Sequence, residues 1–260
     1  MVKNRWIYLI SGLCFVGTLS GCGNNDSLKT QTNNMSSCES CSINVSLDFE
    51  GTISNEDKDT TFAVHNTASG ICTGQDDKYT EDWIYKLREN YLGTSSSTSY
   101  ELIGTGESAD YTAVIKDRND SETGWTQYDE LTTFASDHYF VQFLEAIEEL
   151  DGKNETYEGT VRGDLAKTLI ISGLDPTANY DTDDLNIDSL PIEVATTDDY
   201  ITSMTMDCKL IGQQFAEMIA DKSGIRITVD SFTATVTYDD FNRVQEIDLP
   251  NALNNTEIYS

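Results

Sequence analysis

Basic residues are scarce in this sequence. It contains 16 lysines and arginines against 45 aspartates and glutamates, which gives a formal net charge of −29. Nucleic acid phosphates repel a surface of that sign, so nucleic acid is excluded as a partner. Anionic lipid headgroups repel such a surface as well. We therefore expect any attachment to a membrane to depend on an anchor and not on the folded surface.

Long hydrophobic runs are also lacking. The apolar stretch from Trp6 to Leu19 is shorter than the roughly 20 residues that a transmembrane helix needs. Lys3 and Arg5 precede this stretch, and Leu19-Ser20-Gly21-Cys22 closes it. The order of charged, apolar and small residues is typical of an export signal that is removed by cleavage.

The run Leu19-Ser20-Gly21-Cys22 resembles the lipobox of bacterial lipoproteins. The resemblance implies that the Cys22 thiol receives a diacylglyceryl group and that Cys22 becomes the new amino terminus. Two acyl chains anchor a protein durably, whereas one chain binds a membrane only marginally. The sequence therefore predicts a protein held by lipid at Cys22 on the extracytoplasmic face of the cell membrane.

Histidine is almost absent, and no catalytic motif is complete. Of the two histidines, His65 lies among small polar residues and His138 lies beside predicted helical aromatics, so neither is indicated as a catalytic base. Gly104–Ala109 matches a dinucleotide fingerprint by letters, but the following Tyr111–Ile115 alternates like a strand where a helix is required. Gly106–Asp110 lacks the closing glycine of a nucleophile elbow. We expect no enzymatic activity and no cofactor.

Four cysteines remain once Cys14 and Cys22 are assigned to the signal and the lipid. Cys38-Glu39-Ser40-Cys41 has the spacing of a redox or metal half-site, but the sequence contains no second pair that would complete a zinc site. Cys72 and Cys208 are compatible with a disulfide or with buried free thiols. The pattern does not decide the connectivity.

Composition divides the chain into four parts. Residues 1–21 form the signal, residues 22–42 a flexible polar tether, residues 43–254 one folded domain, and residues 255–260 a tail. The tether is rich in Asn, Ser, Thr and Gln, which bury too little apolar surface to order a chain.

Alternation of apolar and polar residues predicts strands in the domain. It is clearest at Val45–Phe49, and it recurs in the segments around Ala113, Ile192, Met204 and Val236. Between Ile225 and Tyr238 the apolar positions change from odd to even at Asp230-Ser231, which requires a bulge or a turn.

Two segments have helical spacing instead. One runs from Phe140 to Ile147 and is expected to stop at Asp151-Gly152, and the other runs from Leu210 to Asp221. Strands with inserted helices predict an α+β fold with a single, mostly antiparallel sheet.

Two groups of side chains are candidates for a binding site. One group is acidic and lies in a polar loop, where its oxygens would suit calcium, although its spacing fits no EF-hand and a solvated loop is the simpler interpretation. It comprises Asp181, Asp183, Asp184, Asn186 and Asp188. The other group is aromatic and could line an apolar cavity or an ordinary core. It comprises Trp83, Tyr85, Trp125, Tyr128, Tyr139, Phe140 and Phe143.

The order of segments near the carboxyl end resembles the LolA/LppX-like lipoproteins of Gram-positive bacteria, which include relatives of unknown function. The segments that carry the resemblance are Tyr200–Asp207, Phe232–Tyr238, Asp239–Asn242, Ile247–Pro250 and the earlier Gly124–Tyr128. The resemblance implies a strongly curved antiparallel sheet over residues 43–254, an incomplete barrel with helices on its concave side. It also implies an apolar cavity that holds acyl chains.

Three functions follow, in order of preference. The first is a membrane-anchored, non-enzymatic binder of an apolar ligand such as a lipid or an acyl chain. The second is an acidic envelope protein that binds a protein partner or a cation without a cavity. The third is a polymer hydrolase that uses a pair of carboxyl groups, which only the three-dimensional arrangement could reveal.

Overall fold

A computed structural model describes residues 26–55, 58–75, 78–91, 93–107, 112–120, 124–128, 147–153, 155–164, 166–167, 185–223 and 225–254. The signal with Cys22 and the tail at 255–260 lie outside these residues. Among the described residues, no helix has the length and apolar character needed to cross a membrane.

Eleven strands and three helices make up the described elements, in the chain order α1, β1–β10, α2, β11, α3. The strands are β1 (Ser40–Asn55), β2 (Lys58–Gln75), β3 (Lys78–Tyr91), β4 (Thr94–Glu107), β5 (Thr112–Asp117), β6 (Thr126–Tyr128), β7 (Ile147–Lys153), β8 (Thr156–Arg162), β9 (Ser189–Thr196), β10 (Ile201–Asp207) and β11 (Arg226–Asp239). The helices are α1 (Asp26–Ser36), α2 (Lys209–Ser223) and α3 (Asn251–Asn254).

All the strands form one antiparallel sheet in the order β6-β5-β4-β3-β2-β1-β11-β10-β9-β8-β7. Strands that are neighbours in sequence pair with each other, except β6 and β7, which lie at opposite edges, and β11 pairs with β1 as well as with β10. The long-range pairing of β1 with β11 therefore places the first and last strands side by side in the interior of the sheet. The sheet is open, with β6 and β7 at its edges.

The prediction of an α+β fold with helices covering the concave side of the sheet is wrong. The structure is a mostly antiparallel, open eleven-stranded sheet with few helices. One reason is that strand pairing overrides local helical spacing at Ile147–Lys153, where the expected helix stop Asp151-Gly152 pairs with Glu158 and Tyr157 of β8. The rest of that expected helix lies outside the described residues.

Other sequence predictions of local structure are confirmed. Strands occupy Val45–Phe49 and the segments around Ala113, Ile192, Met204 and Val236, and α2 spans the second expected helix. The parity change at Asp230 is a bulge, because Glu50 pairs with Ser231 while Gly51 pairs with Val229. Asp230 is the extra residue, and it keeps both Val229 and Phe232 buried in the core.

One side of the sheet carries Ile43, Val45 and Leu47, all of which are buried, and we call this side the inner face. The outer face carries Asn44, Ser46 and Asp48. Helix α2 packs on the inner face of β1 and β11, where a Cβ at Gly212 would lie 3.0 Å from the ring of Phe49 and 3.2 Å from that of Phe232. The main core is thus on the inner side.

Residues 26–36, which the sequence analysis assigned to a flexible tether, form helix α1. Leu28, Gln31 and Met35 are buried on one side of it. The Gln31 amide donates hydrogen bonds of 2.8 Å to the carbonyls of both Thr197 and Asp198, in the turn between β9 and β10. Tertiary packing therefore orders a segment whose composition alone does not favour a helix.

Candidate functional site

A row of polar side chains crosses the inner face of the sheet near the start of β1. Cys41 of β1 lies opposite Cys72 of β2, and Cys72 lies opposite Glu81 of β3. The next inner positions along β3 are Trp83 and Tyr85. We call Cys41, Cys72, Glu81, Trp83 and Tyr85 the inner polar cluster. All five are buried, and Cys41, Glu81 and Trp83 have no exposed surface.

The carboxyl group of Glu81 is buried among apolar residues. The indole Nε1 of Trp83 donates a hydrogen bond of 3.0 Å to Glu81 Oε2. A buried carboxyl group is costly unless it is hydrogen-bonded, so the indole offsets part of that cost. The indole fits in this position because the residue opposite it is Gly70, where a Cβ would lie 2.3 Å from Trp83 Cδ2.

The hydroxyl group of Tyr85 is buried and has no hydrogen-bond partner among the residues that the structure describes. Burial raises the pKa of Tyr85 well above its usual value, and the nearby Glu81 and Cys72 raise the pKa further. The phenol therefore stays protonated, and its O–H group can donate a hydrogen bond to an acceptor placed beside it. Leaving such a donor unpaired costs roughly 1–3 kcal/mol.

The thiols of the cluster are protonated as well. Burial raises the pKa of Cys41, and the neighbouring Cys38 raises the pKa further. Burial also raises the pKa of Cys72 well above its usual value, with added effects from Glu81 and Cys41. The pKa of Cys38 is raised chiefly by burial, while its thiol donates a 2.9 Å hydrogen bond to the Ser40 carbonyl. A protonated thiol is a poor nucleophile.

Of the two alternatives for Cys72 and Cys208, the structure has buried free thiols, and Cys38 and Cys41 are free as well. Cys208 lies between β10 and α2, where its thiol donates to the Met206 carbonyl at 3.6 Å. Burial raises the pKa of Cys208 to about 12.

The structure brings together only part of the aromatic group predicted from the sequence. The rings of Trp83 and Tyr85 lie 6.2 Å apart on the inner face. Trp125 is half-buried, and the Lys116 Nζ lies 5.9 Å from the centre of the Trp125 ring. Alternation along the strands places both side chains on the outer face. The backbone of Tyr128 pairs with Ala113 at the sheet edge. Tyr139, Phe140 and Phe143 lie outside the described residues.

The candidate calcium loop is described only at its end. Asn186 and Asp188 are exposed, and the Gln214 side chain holds the Asn186 backbone through two hydrogen bonds of 2.8 Å. Asp181, Asp183 and Asp184 lie outside the described residues. In the part of the chain that the structure covers, no group of three or more His, Cys, Asp or Glu side chains could hold a metal ion.

His65 forms a hydrogen bond with Asp48 on the outer face, and Ser46 donates to the other oxygen of Asp48 at 2.7 Å. The aspartate stands between serine and histidine. A hydrolytic triad instead places the histidine between the other two, so that it can take the serine proton. This arrangement does not activate Ser46. His138 lies outside the described residues.

A polar groove of about 240 Å³ lies beside the bulge in β11. Glu50, Asn90 and Asp230 supply polar groups to its lining, and Phe62 supplies an apolar ring. Its lining is mainly polar, which does not suit an acyl chain.

Glu81 and the Cys41–Cys72 pair are absent from the candidates that the sequence indicated. A signal for Glu81 existed in the sequence, because Glu81 has the same parity as Trp83, Tyr85 and Leu87 in β3. The pairing of Cys41 with Cys72 depends on the register between two strands, which alternation within each strand does not assign.

No family model matches this chain, and no curated protein matches it. Among solved structures, the chain is similar to a DUF1329 family protein from Desulfovibrio piger, with 10% identity, 90% of this chain and 100% of the other covered, and a TM-score of 0.26. It is also similar to a LolA superfamily protein from Nitrosomonas europaea, with 8% identity, coverage of 89% and 98%, and a TM-score of 0.25. At these TM-scores neither match tests the resemblance to lipoproteins of Gram-positive bacteria.

Proposed function

We propose that this protein is an extracytoplasmic lipoprotein, anchored through Cys22, that holds an apolar ligand against the inner face of its sheet and catalyses no reaction. The lipobox at Leu19–Cys22 supports the extracytoplasmic, lipid-anchored location. The resemblance of the carboxyl-terminal segments to LolA/LppX-like lipoproteins supports an apolar ligand. The unpartnered hydroxyl of buried Tyr85 carries the proposal.

Binding sites for apolar ligands combine an apolar lining with a few polar groups that orient the ligand. The inner face has this composition, since the buried row of Ile43, Trp83 and Leu102 lies between Glu81 and Tyr85. A lipid with an ester or amide carbonyl near its acyl chain would accept the Tyr85 hydrogen bond. The carboxyl group of Glu81 disfavours a ligand with a carboxylate at the same place.

The protonation states of the cluster support a binder rather than an enzyme. Tyr85, Cys41 and Cys72 all have raised pKa values because of burial. None of them is therefore ionised at neutral pH, and neither a general base nor a thiolate nucleophile is available from them.

Lipid extraction tests this proposal. The full-length protein is purified in a mild detergent, extracted with organic solvent, and the extract is analysed by mass spectrometry. We expect a defined lipid species with the wild type, a loss of most of it with Tyr85→Phe, and no loss with Tyr91→Phe. Tyr91 is a matched control because it is exposed. Two results would overturn the proposal. One is a wild type that yields no more lipid than detergent micelles alone, and the other is a Tyr85→Phe variant that retains the full amount of lipid.

A further inference from the structure

The register of β1 and β2 places two thiols opposite each other. Cys41 pairs with Cys72 across the two strands, and both side chains lie on the inner face in the core. Cys41 has no exposed surface and Cys72 has 6%. Opposite side chains in an antiparallel pair point to the same side and are direct neighbours.

A hydrogen bond near the strand ends shows which of the two kinds of antiparallel pair Cys41 and Cys72 form. The Gly74 amide donates to the Glu39 carbonyl at 2.8 Å, and these two residues lie one step beyond the Ser40–Thr73 pair. Hydrogen-bonded and non-hydrogen-bonded pairs alternate along an antiparallel ladder, so Cys41–Cys72 is again a hydrogen-bonded pair. Its Cα atoms should be about 5.5 Å apart, within the range of roughly 4.4–6.8 Å that disulfides span. Opposite Cβ atoms lie about 4.5–5.5 Å apart and a disulfide holds them at about 3.5–4.5 Å, so the bond draws the two strands slightly closer.

We propose that Cys41 and Cys72 form a disulfide that joins β1 to β2. This modification does not depend on the proposed ligand. Glutathione disulfide, or a protein disulfide of the same class, is the oxidant. A new S–S bond joins Cys41 to Cys72, the S–S bond of the oxidant breaks, and the oxidant takes up the two protons and two electrons and leaves as two thiols.

Cys38 is the competing partner for Cys41. It precedes β1 and lies near enough to Cys41 to raise the pKa of that thiol. Its own thiol, however, donates a hydrogen bond to the Ser40 carbonyl and points along its own chain. Cys72 is instead fixed opposite Cys41 by the ladder on both sides of it, so the cross-strand bond is favoured.

The burial of both thiols indicates when the bond forms. Exchange requires a thiolate that an oxidant can reach, and both thiols are buried with raised pKa values. Oxidation should therefore occur during folding or local opening of the β1–β2 hairpin, and only slowly in the folded, reduced protein.

Peptide mapping after refolding tests this proposal. The full-length chain is reduced and unfolded in urea, refolded in a glutathione redox buffer, blocked with N-ethylmaleimide, digested without reduction and analysed by mass spectrometry. We expect a cross-linked peptide that joins Cys41 to Cys72, with Cys38 and Cys208 alkylated. A bond between Cys38 and Cys41, or alkylation of both Cys41 and Cys72, would overturn the proposal.

Three variants sharpen the test. Cys72→Ser should abolish the cross-link and leave Cys41 alkylated, whereas Cys208→Ser, the matched control at a buried thiol beside another strand, should keep it. Cys38→Ser should also keep the cross-link. A cross-link that disappears in Cys38→Ser would contradict direct bonding between Cys41 and Cys72. The mapping of the wild type remains decisive if a variant fails to fold.

Discussion

At the scale of single residues, the absence of a side chain at Gly70 makes room for the inner polar cluster. A Cβ at this position would lie 2.3 Å from Trp83 Cδ2, in the face of the indole. The ring cannot move freely, because its Nε1 holds the Glu81 carboxyl group. Gly70, Trp83 and Glu81 therefore form one interdependent arrangement, which a methyl group would disturb.

We expect Gly70→Ala to lower the free energy of unfolding by about 2–3 kcal/mol, as overpacking of a core typically does. Urea denaturation followed by tryptophan fluorescence measures this. Gly124→Ala is the control, because no atom lies within 4 Å of a Cβ added there, and it should change stability by less than about 0.5 kcal/mol. Equal midpoints for the two variants would contradict the packing of Trp83 on Gly70.

Asp82 lies beside Trp83 on β3, and its raised pKa predicts that stability depends on pH. Burial raises its pKa above 3.8, Glu101 raises the pKa further, and Arg118 partly opposes the shift. The folded protein therefore binds this proton more tightly than the unfolded chain, so ionisation costs stability as pH rises from about 3.8 through the folded pKa. Within the described part of the chain, Oδ1 of Asp82 is also buried without a hydrogen-bond partner.

Asp82→Asn should consequently be more stable than the wild type at pH 7 and lose this advantage toward pH 3.5. Chemical denaturation at a series of pH values measures the difference. Asp59→Asn, at an exposed position, controls for the loss of one negative charge. An advantage for Asp82→Asn that is constant with pH would show that the carboxyl group does not titrate as described.

At the scale of elements, helix α1 depends on tertiary contacts more than on its own sequence. Its buried residues Leu28, Gln31 and Met35 are separated by polar ones, which is too sparse an apolar pattern to predict a helix from composition. The strands are different, because every second residue of β1 from Cys41 to Phe49 is buried. This is why alternation predicted β1 correctly and composition placed α1 in a tether.

We expect Met35→Ala to lower the free energy of unfolding by about 2–4 kcal/mol, since Met35 is wholly buried. Asn33→Ala, on the exposed side of α1, should have little effect. Hydrogen exchange measured by mass spectrometry should show protected amides in the second half of α1 in the wild type and faster exchange in Met35→Ala. Rapid exchange throughout residues 26–36 in the wild type would restore the tether interpretation.

The bulge at Asp230 shows what an element's sequence can reveal without a structure. Apolar residues change parity there, and a strand can absorb that change only by an extra residue or by a turn. The sequence left these alternatives open. The structure decides for the bulge because β11 continues to pair with β1 on both sides of it.

At the scale of the whole molecule, the sequence predicts the strands better than their arrangement. Local alternation located β1, β9, β10 and β11, but nothing local indicates that β11 lies between β1 and β10. The candidate site has the same limit. Trp83 and Tyr85 were identified by residue type, and the parity of Glu81 with them was a local signal, whereas the Cys41–Cys72 pair emerges only from the register of β1 and β2. Trp125 was grouped with Trp83 by residue type, yet the ladder places it on the other face.

With a lipid on Cys22, helix α1 would also limit how far the protein can stand from a bilayer. Only residues 23–25 separate Cys22 from the first residue of α1, and four peptide units reach at most about 15 Å. The two hydrogen bonds of Gln31 in turn hold α1 to the β9–β10 turn. The lipid would therefore keep the folded domain close to the headgroups, and a molecule that passes between bilayer and protein would have little water to cross.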